Sequence, residues 1–195
     1  TLPHIDKDDL RSILDREYDL LPKEARYEHF DRVNERISEH YYGGIRYLLE
    51  TPRDIKRLFN RLIFVEPGCR GEVNLADLIA LETIAIKAPA VYDHIRKNPA
   101  AYIGQQLGYV ESFSESKKVV ESFADDRKAA LDLVSPSLQN HVRELLRIVF
   151  PLVNPHGSGI PDESKGLICK QDRLAIAISF GLPLKEVSLG AVFDF

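Results

Sequence analysis

Methionine and tryptophan are absent from the 195-residue sequence, and only two cysteines are present. Cys69 and Cys169 are far apart, with no second thiol near either one, so their spacing fits neither a zinc site nor a disulfide-rich scaffold. No apolar run is long enough to span a membrane, and the first residues do not resemble a signal peptide. Together these absences predict a reduced, cytoplasmic protein. Because the chain starts at Thr1 without a methionine, we expect it to be a piece of a longer protein.

The sequence also lacks the short motifs of several enzyme classes. It contains no G-x-x-x-x-G-K-[ST], no G-x-G-x-x-G and no G-x-S-x-G. Its carboxylates are spread along amphipathic faces, and no pair stands out as a catalytic dyad. We therefore predict no catalytic residue and no metal ligand, and the chain by itself is not predicted to be a complete enzyme.

The remaining composition is that of an ordinary globular chain, with 44% hydrophobic and 29% charged residues. The net charge of −4 gives no overall attraction to nucleic acid, so any such role would need a local basic patch. The length allows one large domain or two small ones. Residues 104–122 are rich in glycine and serine and form the candidate boundary, which predicts one region at 1–110 and another at 111–195.

Apolar residues recur at helical spacing along most of the chain, which predicts a mainly α protein with little or no sheet. We expect a multi-helix bundle joined by short turns. The clearest helix predictions begin near Asp6, Thr51, Asn74, Pro89, Ala124 and Ser135. The segment from Gln171 to Phe180 is compatible with either a helix or a strand.

A second, highly charged helical stretch is predicted over residues 23–41 and ends where Tyr41-Tyr42-Gly43-Gly44 interrupts the pattern. His29 and His40 flank this stretch. We predict that both are surface residues, because no carboxylate–histidine metal motif surrounds them. The glycine-rich stretch that begins at Asn154 is predicted to be a mobile loop.

The helix that begins at Thr51 has the best-marked start in the sequence. Thr51 is a good N-cap, Pro52 suits the first helical position, and Asp54 lies where a carboxylate meets free N–H groups. Its apolar residues fall on one stripe, namely Ile55, Leu58, Phe59 and Leu62. The opposite side is basic and carries Arg53, Lys56, Arg57 and Arg61. The pattern therefore predicts a buried face and either a phosphate-binding face or a merely solvated one.

The segment Leu49-Glu50-Thr51-Pro52-Arg53-Asp54-Ile55-Lys56-Arg57-Leu58-Phe59-Asn60 resembles the TPRDxKRxxN signature of the KAP family of P-loop NTPases. Thr1-Leu2-Pro3 and the segments 73–82, 88–92 and 95–96 are similar to the family on either side of that signature. The segment 175–183 is only loosely similar, since the expected tyrosine is missing. The resemblance thus covers roughly residues 1–100.

In that family the signature follows a core that holds ATP and Mg²⁺, and neither phosphate loop nor Mg²⁺-binding acid is present in this chain. The resemblance implies that residues 1–110 are a lid-like region, that 111–195 are a C-terminal helical region, and that the first partner is the NTPase core of the same protein. It further implies that Arg53 contacts nucleotide, with Lys56 and Arg57 as secondary candidates. The family also suggests a role in phage defence or signalling, with a second protein receiving the signal.

Two other interpretations stay open from the sequence. The chain could be a free-standing α-helical interaction module without nucleotide, whose basic helix docks an acidic partner. In that case Arg53 could equally pair with an acid of a neighbouring helix and fix the packing. DNA binding through Arg53, Lys56, Arg57 and Arg61 is disfavoured by the shortness of the patch and the acidic net charge.

Overall fold

A computed structural model describes residues 6–23, 30, 33–104, 113–156 and 166–181. The described chain is mainly α and contains no strand, which confirms the predicted fold class. Its helices are α1 (Lys7–Asp19), α2 (Val33–His40), α3 (Pro52–Cys69), α4 (Leu75–Lys87), α5 (Pro89–Lys97), α6 (Ala100–Ile103), α7 (Phe113–Ser122), α8 (Ala124–Asp132), α9 (Pro136–Val149) and α10 (Gln171–Ser179). Among the described residues, no helix is long and apolar enough to cross a membrane.

The start of α3 confirms the predicted cap. The Thr51 hydroxyl accepts from the Asp54 amide at 3.2 Å, and the Asp54 carboxylate accepts from the Thr51 amide at 3.2 Å. Such a reciprocal capping box satisfies two N–H groups that the first helical turn leaves free. The helix then continues through Pro67 to Cys69, so a proline lies inside its last turn. Ile63 and Pro67 lie on the exposed side, where water can satisfy the carbonyl that proline leaves unpaired.

Helix α4 is the centre of the core, as its apolar character predicts. Its positions from Leu75 to Ile84 are all buried, and α4 packs against α2, α3, α5 and α9. A single apolar core extends from Leu10 to Ala177 and includes residues on both sides of position 110. The division into regions 1–110 and 111–195 stays a prediction.

The Tyr41–Ile45 segment corrects one sequence prediction. It does not interrupt the helix but continues α2 as a π-helical turn, followed by a short helical turn over Arg46–Leu48. A Cβ atom at Gly43 would lie 2.1 Å from Cδ1 of Ile148, and one at Gly44 would lie 2.9 Å from the His141 carbonyl oxygen. The absence of side chains at the two glycines therefore lets this turn pack closely against α9. Interpreting them as the end of a helix missed this role.

Helix α10 resolves the segment that was compatible with helix or strand. It spans Gln171–Ser179. The helix and the residues just before it make polar contacts with the residues that lead into α4. Arg173 pairs with Glu72 at 2.5 Å, and the Asn74 amide donates to the Gly166 carbonyl at 2.8 Å. The predictions for His29 and for most of the Asn154 loop fall outside the described residues.

Candidate functional site

The residues predicted to meet nucleotide lie on the solvent side of α3. Arg53 and Arg57 are exposed, and neither has a hydrogen-bond or ion-pair partner among the described residues. Lys56 differs, because its Nζ atom lies 3.0 Å from Oε1 of Glu17 on α1. The structure thus keeps two of the three predicted cations free and uses the third to join two helices.

Arg61 does not belong to the same surface. Its Nε atom donates to the fully buried carboxylate of Glu82 on α4, so it joins α3 to α4. Burial raises the pKa of Glu82, and the neighbouring Arg61 only partly offsets that effect. The four-residue basic patch considered for DNA is therefore reduced to Arg53 and Arg57, with Lys56 partly exposed beside them.

The start of α3 is held in a fixed position. Lys87, in the last turn of α4, lies 3.2 Å from the Asp54 carboxylate and 3.6 Å from that of Glu50. Because Asp54 also closes the capping box, one side chain links the beginning of α3 to the end of α4. Arg53 therefore projects from an anchored backbone, which lowers the entropy lost when it binds a ligand.

The second half of the same helix side is apolar. Ile63 is 62% exposed and Phe64 is 77% exposed, and the Phe64 ring contacts Phe180 with 6.3 Å between centroids. Residues three, four and seven positions apart share one side of a helix, so these side chains continue the line that Arg53 and Arg57 begin. We call Arg53, Arg57, Asn60, Ile63 and Phe64 the exposed face of α3.

A buried ionic cluster lies on the other side of the core. Asp77 on α4 is fully buried. Its carboxylate accepts hydrogen bonds from Nε of Arg36 at 2.6 Å and from the Ile168 amide at 3.0 Å, and it lies 2.8 Å from Nε2 of His40. Burial would raise the pKa of Asp77, but the contacts with His40 and Arg36 outweigh burial and lower it. The prediction that His40 is a surface residue is wrong, since it is completely buried. Its partner is distant in sequence, so the local pattern gave no signal.

A cation–tyrosine cluster on the π-helical turn was also missed. It consists of Lys7, Arg11, Arg46, Tyr41, Tyr42 and Tyr47. The Arg46 guanidinium lies 5.5 Å from the Tyr42 ring centroid and 5.0 Å from that of Tyr47. The density of tyrosine around Arg46 in the sequence was the available signal, but its two glycines were interpreted as a break.

The two cysteines lie buried in the described part of the chain. Cys69 and Cys169 are both free thiols, and burial raises the pKa of each to about 12. A thiol with such a high pKa is a poor nucleophile at neutral pH. No group of three potential metal-ligating side chains is present in the ranges that the structure describes.

The described chain is thus a helical bundle in which the exposed face of α3 is basic at one end and apolar at the other. In its comparison with known proteins, the chain is 47% identical over 116 residues to the phage T7 exclusion protein of Escherichia coli (strain K12). The similarity covers 53% of this chain, and the chain spans only 16% of the length of that relative. No family model matches the chain, and no solved structure matches it.

Proposed function

We propose that the chain is the helical lid and regulatory region of a KAP-like P-loop NTPase. The observation that carries the proposal is the position of Arg53 and Arg57, which are exposed, without partners among the described residues, and rooted in an anchored, capped helix. These are residues of the segment that resembles the family signature. A guanidinium held in this way can bind a nucleotide phosphate through charge-assisted hydrogen bonds.

In this proposal ATP and Mg²⁺ are held by the core of the parent protein, and this chain supplies the sensing side chains. Arg53 contacts the phosphates, and Arg57 lies one turn further along the same side. Lys56 contributes less, because binding a phosphate would cost its pair with Glu17. A change of nucleotide then alters the position of α3 relative to the core, and the bundle relays that change to a partner.

The apolar half of the exposed face supports docking against the core. Single exposed apolar side chains are common on protein surfaces. Ile63 and Phe64, however, are adjacent and largely exposed, and Phe64 contacts Phe180. An apolar contact at this end would position the basic end over the nucleotide. The NTPase core of the same polypeptide is the partner that fits both halves.

The name of the relative supports a proposal for the biological process. The similar protein is named for exclusion of phage T7, and we infer that the longer parent of this chain acts in phage exclusion. Nucleotide-dependent movement of the helical region would be the step at which a phage signal is transmitted.

The test is the ATPase activity of the parent protein with Arg53→Ala. Loss of a charge-assisted contact in the transition state predicts that kcat falls about tenfold or more. The parent protein should then also no longer reduce the number of plaques formed by the excluded phage. Arg96→Ala on α5 is the matched control, since Arg96 is also an exposed arginine of a helix but lies off this face. Unchanged hydrolysis and unchanged nucleotide affinity in Arg53→Ala would contradict the sensor role. A parent gene that encodes no P-loop would contradict the whole proposal.

A second candidate function is a free-standing interaction module without nucleotide. The adjacency of Arg53 and Arg57 to the exposed apolar side chains Ile63 and Phe64 on α3 favours it, because acidic and apolar groups on one partner peptide would satisfy both. Partner binding that weakens steeply with salt and does not respond to ATP would support this alternative. Binding that requires ATP would support the lid.

A further inference from the structure

We propose that the cation–tyrosine cluster is a binding site for a phosphoryl group. The ligand class is a small polyphosphate, either inorganic or the phosphate tail of a nucleotide. The site is separate from the exposed face of α3 and does not depend on a core outside this chain. Its six residues come from α1 and from the segment that connects α2 to α3.

A narrow groove runs between α1, the π-helical turn and the start of α3. Lys7, Arg11 and Arg46 line it together with apolar residues that include Ile45, Leu49 and Ile55. The enclosed part has room for about one water molecule, so a sugar or a base could not enter it. One oxygen of a phosphoryl group at the mouth of the groove could reach inward while the other oxygens stay among the cations.

The cluster carries an excess of positive charge. Lys7 and Arg46 form no ion pair with any residue that the structure describes. Arg11 approaches one carboxylate, that of Asp15, at 3.8 Å, and both side chains are more than half exposed. An exposed pair at this distance contributes little stability, so an incoming anion can displace it. Three cations therefore face one weakly held carboxylate, which favours a ligand with several negative charges.

Arg46 also offers a hydrogen-bond donor to a ligand. The Nε atom of Arg46 is buried and has no acceptor among the described residues. Arginine presents its N–H groups as a planar fork that matches phosphate oxygens. A buried donor without a partner costs free energy, and a bound oxyanion would remove that cost.

Aromatic side chains hold the cations of the cluster in position. The Tyr47 ring stacks on His141 of α9 with 4.4 Å between centroids and 13° between planes. Arg46 and Lys7 both lie near this ring, at 5.0 Å and 4.5 Å from its centroid. Nη1 of Arg11 donates to the Tyr42 hydroxyl at 3.3 Å. The cations are thus pre-positioned on aromatic side chains, which reduces the entropic cost of binding. Single π-helical turns also occur frequently at functional sites.

The experiment is calorimetric titration of the full chain with inorganic pyrophosphate and, separately, with ATP at low ionic strength. The variants are Arg46→Gln and Lys7→Gln, with Arg96→Gln as the matched control and thermal unfolding as the check on folding. Lys7 is exposed, so its substitution tests the site even if Arg46→Gln disturbs packing. We expect Kd for pyrophosphate to rise about tenfold or more in each site variant and to stay unchanged in the control.

The two sources of the ligand give different results. If the site variants lose affinity equally for pyrophosphate and for ATP, the ligand is the phosphate tail of a nucleotide. If they lose affinity for pyrophosphate alone, the ligand is an inorganic polyphosphate. Absence of binding to the unsubstituted chain would overturn the proposal, as would equal weakening in Arg96→Gln. The Kd for pyrophosphate is measured on this chain without the NTPase core, whereas the lid function is tested by the ATPase activity of the parent protein, so the site can fail or succeed independently of the proposed lid function.

Discussion

At the scale of single residues, the buried carboxylates of Asp77 and Glu82 have partners that are distant in sequence. The sequence correctly predicted Asn74 as the N-cap of α4, because capping is a local interaction. It gave no indication that Asp77 and His40 would meet, since 37 positions separate them. Local patterns report which residues share a helix face, and they do not report which helix will cover that face.

We predict that Asp77→Asn destabilises the protein by about 3–5 kcal/mol, because it removes the buried carboxylate that pairs with Arg36 and His40 and, among the described residues, leaves the partly buried Arg36 with only Glu39, at 4.0 Å. Urea unfolding at neutral pH measures this loss. Asp125→Asn on the exposed side of α8 is the control and should change the free energy of unfolding by less than about 0.5 kcal/mol. Equal stability of the Asp77 variant and the control would contradict the assigned role.

The same substitution predicts a dependence on pH. The pKa of Asp77 is lowered in the folded state, so its ionised form stabilises the protein at any pH above the pKa of an unfolded aspartate, about 4. As the pH falls below that value toward the lower folded pKa, this stabilisation is lost. The difference in unfolding free energy between the unsubstituted chain and Asp77→Asn should therefore shrink below about pH 4. A difference that grows with acid would contradict the sign.

At the scale of helices, starts were predicted better than ends or irregular turns. The starts at Thr51 and Asn74 were confirmed because capping residues act within one turn. The start at Ser135 was confirmed because Pro136 occupies the first helical position, although the Ser135 side chain makes no capping hydrogen bond. The π-helical turn was missed since Gly43 and Gly44 are required by contact with α9 and not by a backbone turn. Glycine in a sequence does not distinguish these two causes.

We predict that Gly44→Ala destabilises the protein by about 1–3 kcal/mol, because the added Cβ would lie 2.9 Å from the His141 carbonyl oxygen and 3.0 Å from Cβ of Leu145. Gly43→Ala is the comparison variant. Its Cβ would meet only the flexible end of Ile148, which can move, so the loss should be smaller. Chemical unfolding of the two variants measures the order, and a neutral Gly44→Ala would contradict the packing argument.

At the scale of the whole molecule, the sequence predicted a mainly α bundle, and the structure confirms it. The candidate site was predicted only in part. Arg53 and Arg57 are exposed as expected, whereas Arg61 is committed to Glu82 and Lys56 to Glu17. The tyrosine-rich cluster could not be assembled from sequence, because α1 and the π-helical turn meet only in the folded chain.

The central claim is that the exposed face of α3 docks on a nucleotide-bound core. The most direct measurement is the rate at which a thiol reagent labels Asn60→Cys, since the native cysteines are buried with a pKa of about 12 and react slowly. Asp125→Cys on α8 is the control. We predict fast labelling of Asn60→Cys in this chain alone, slower labelling in the parent protein, and the slowest with ATP bound. An equal rate in all three conditions would contradict the account.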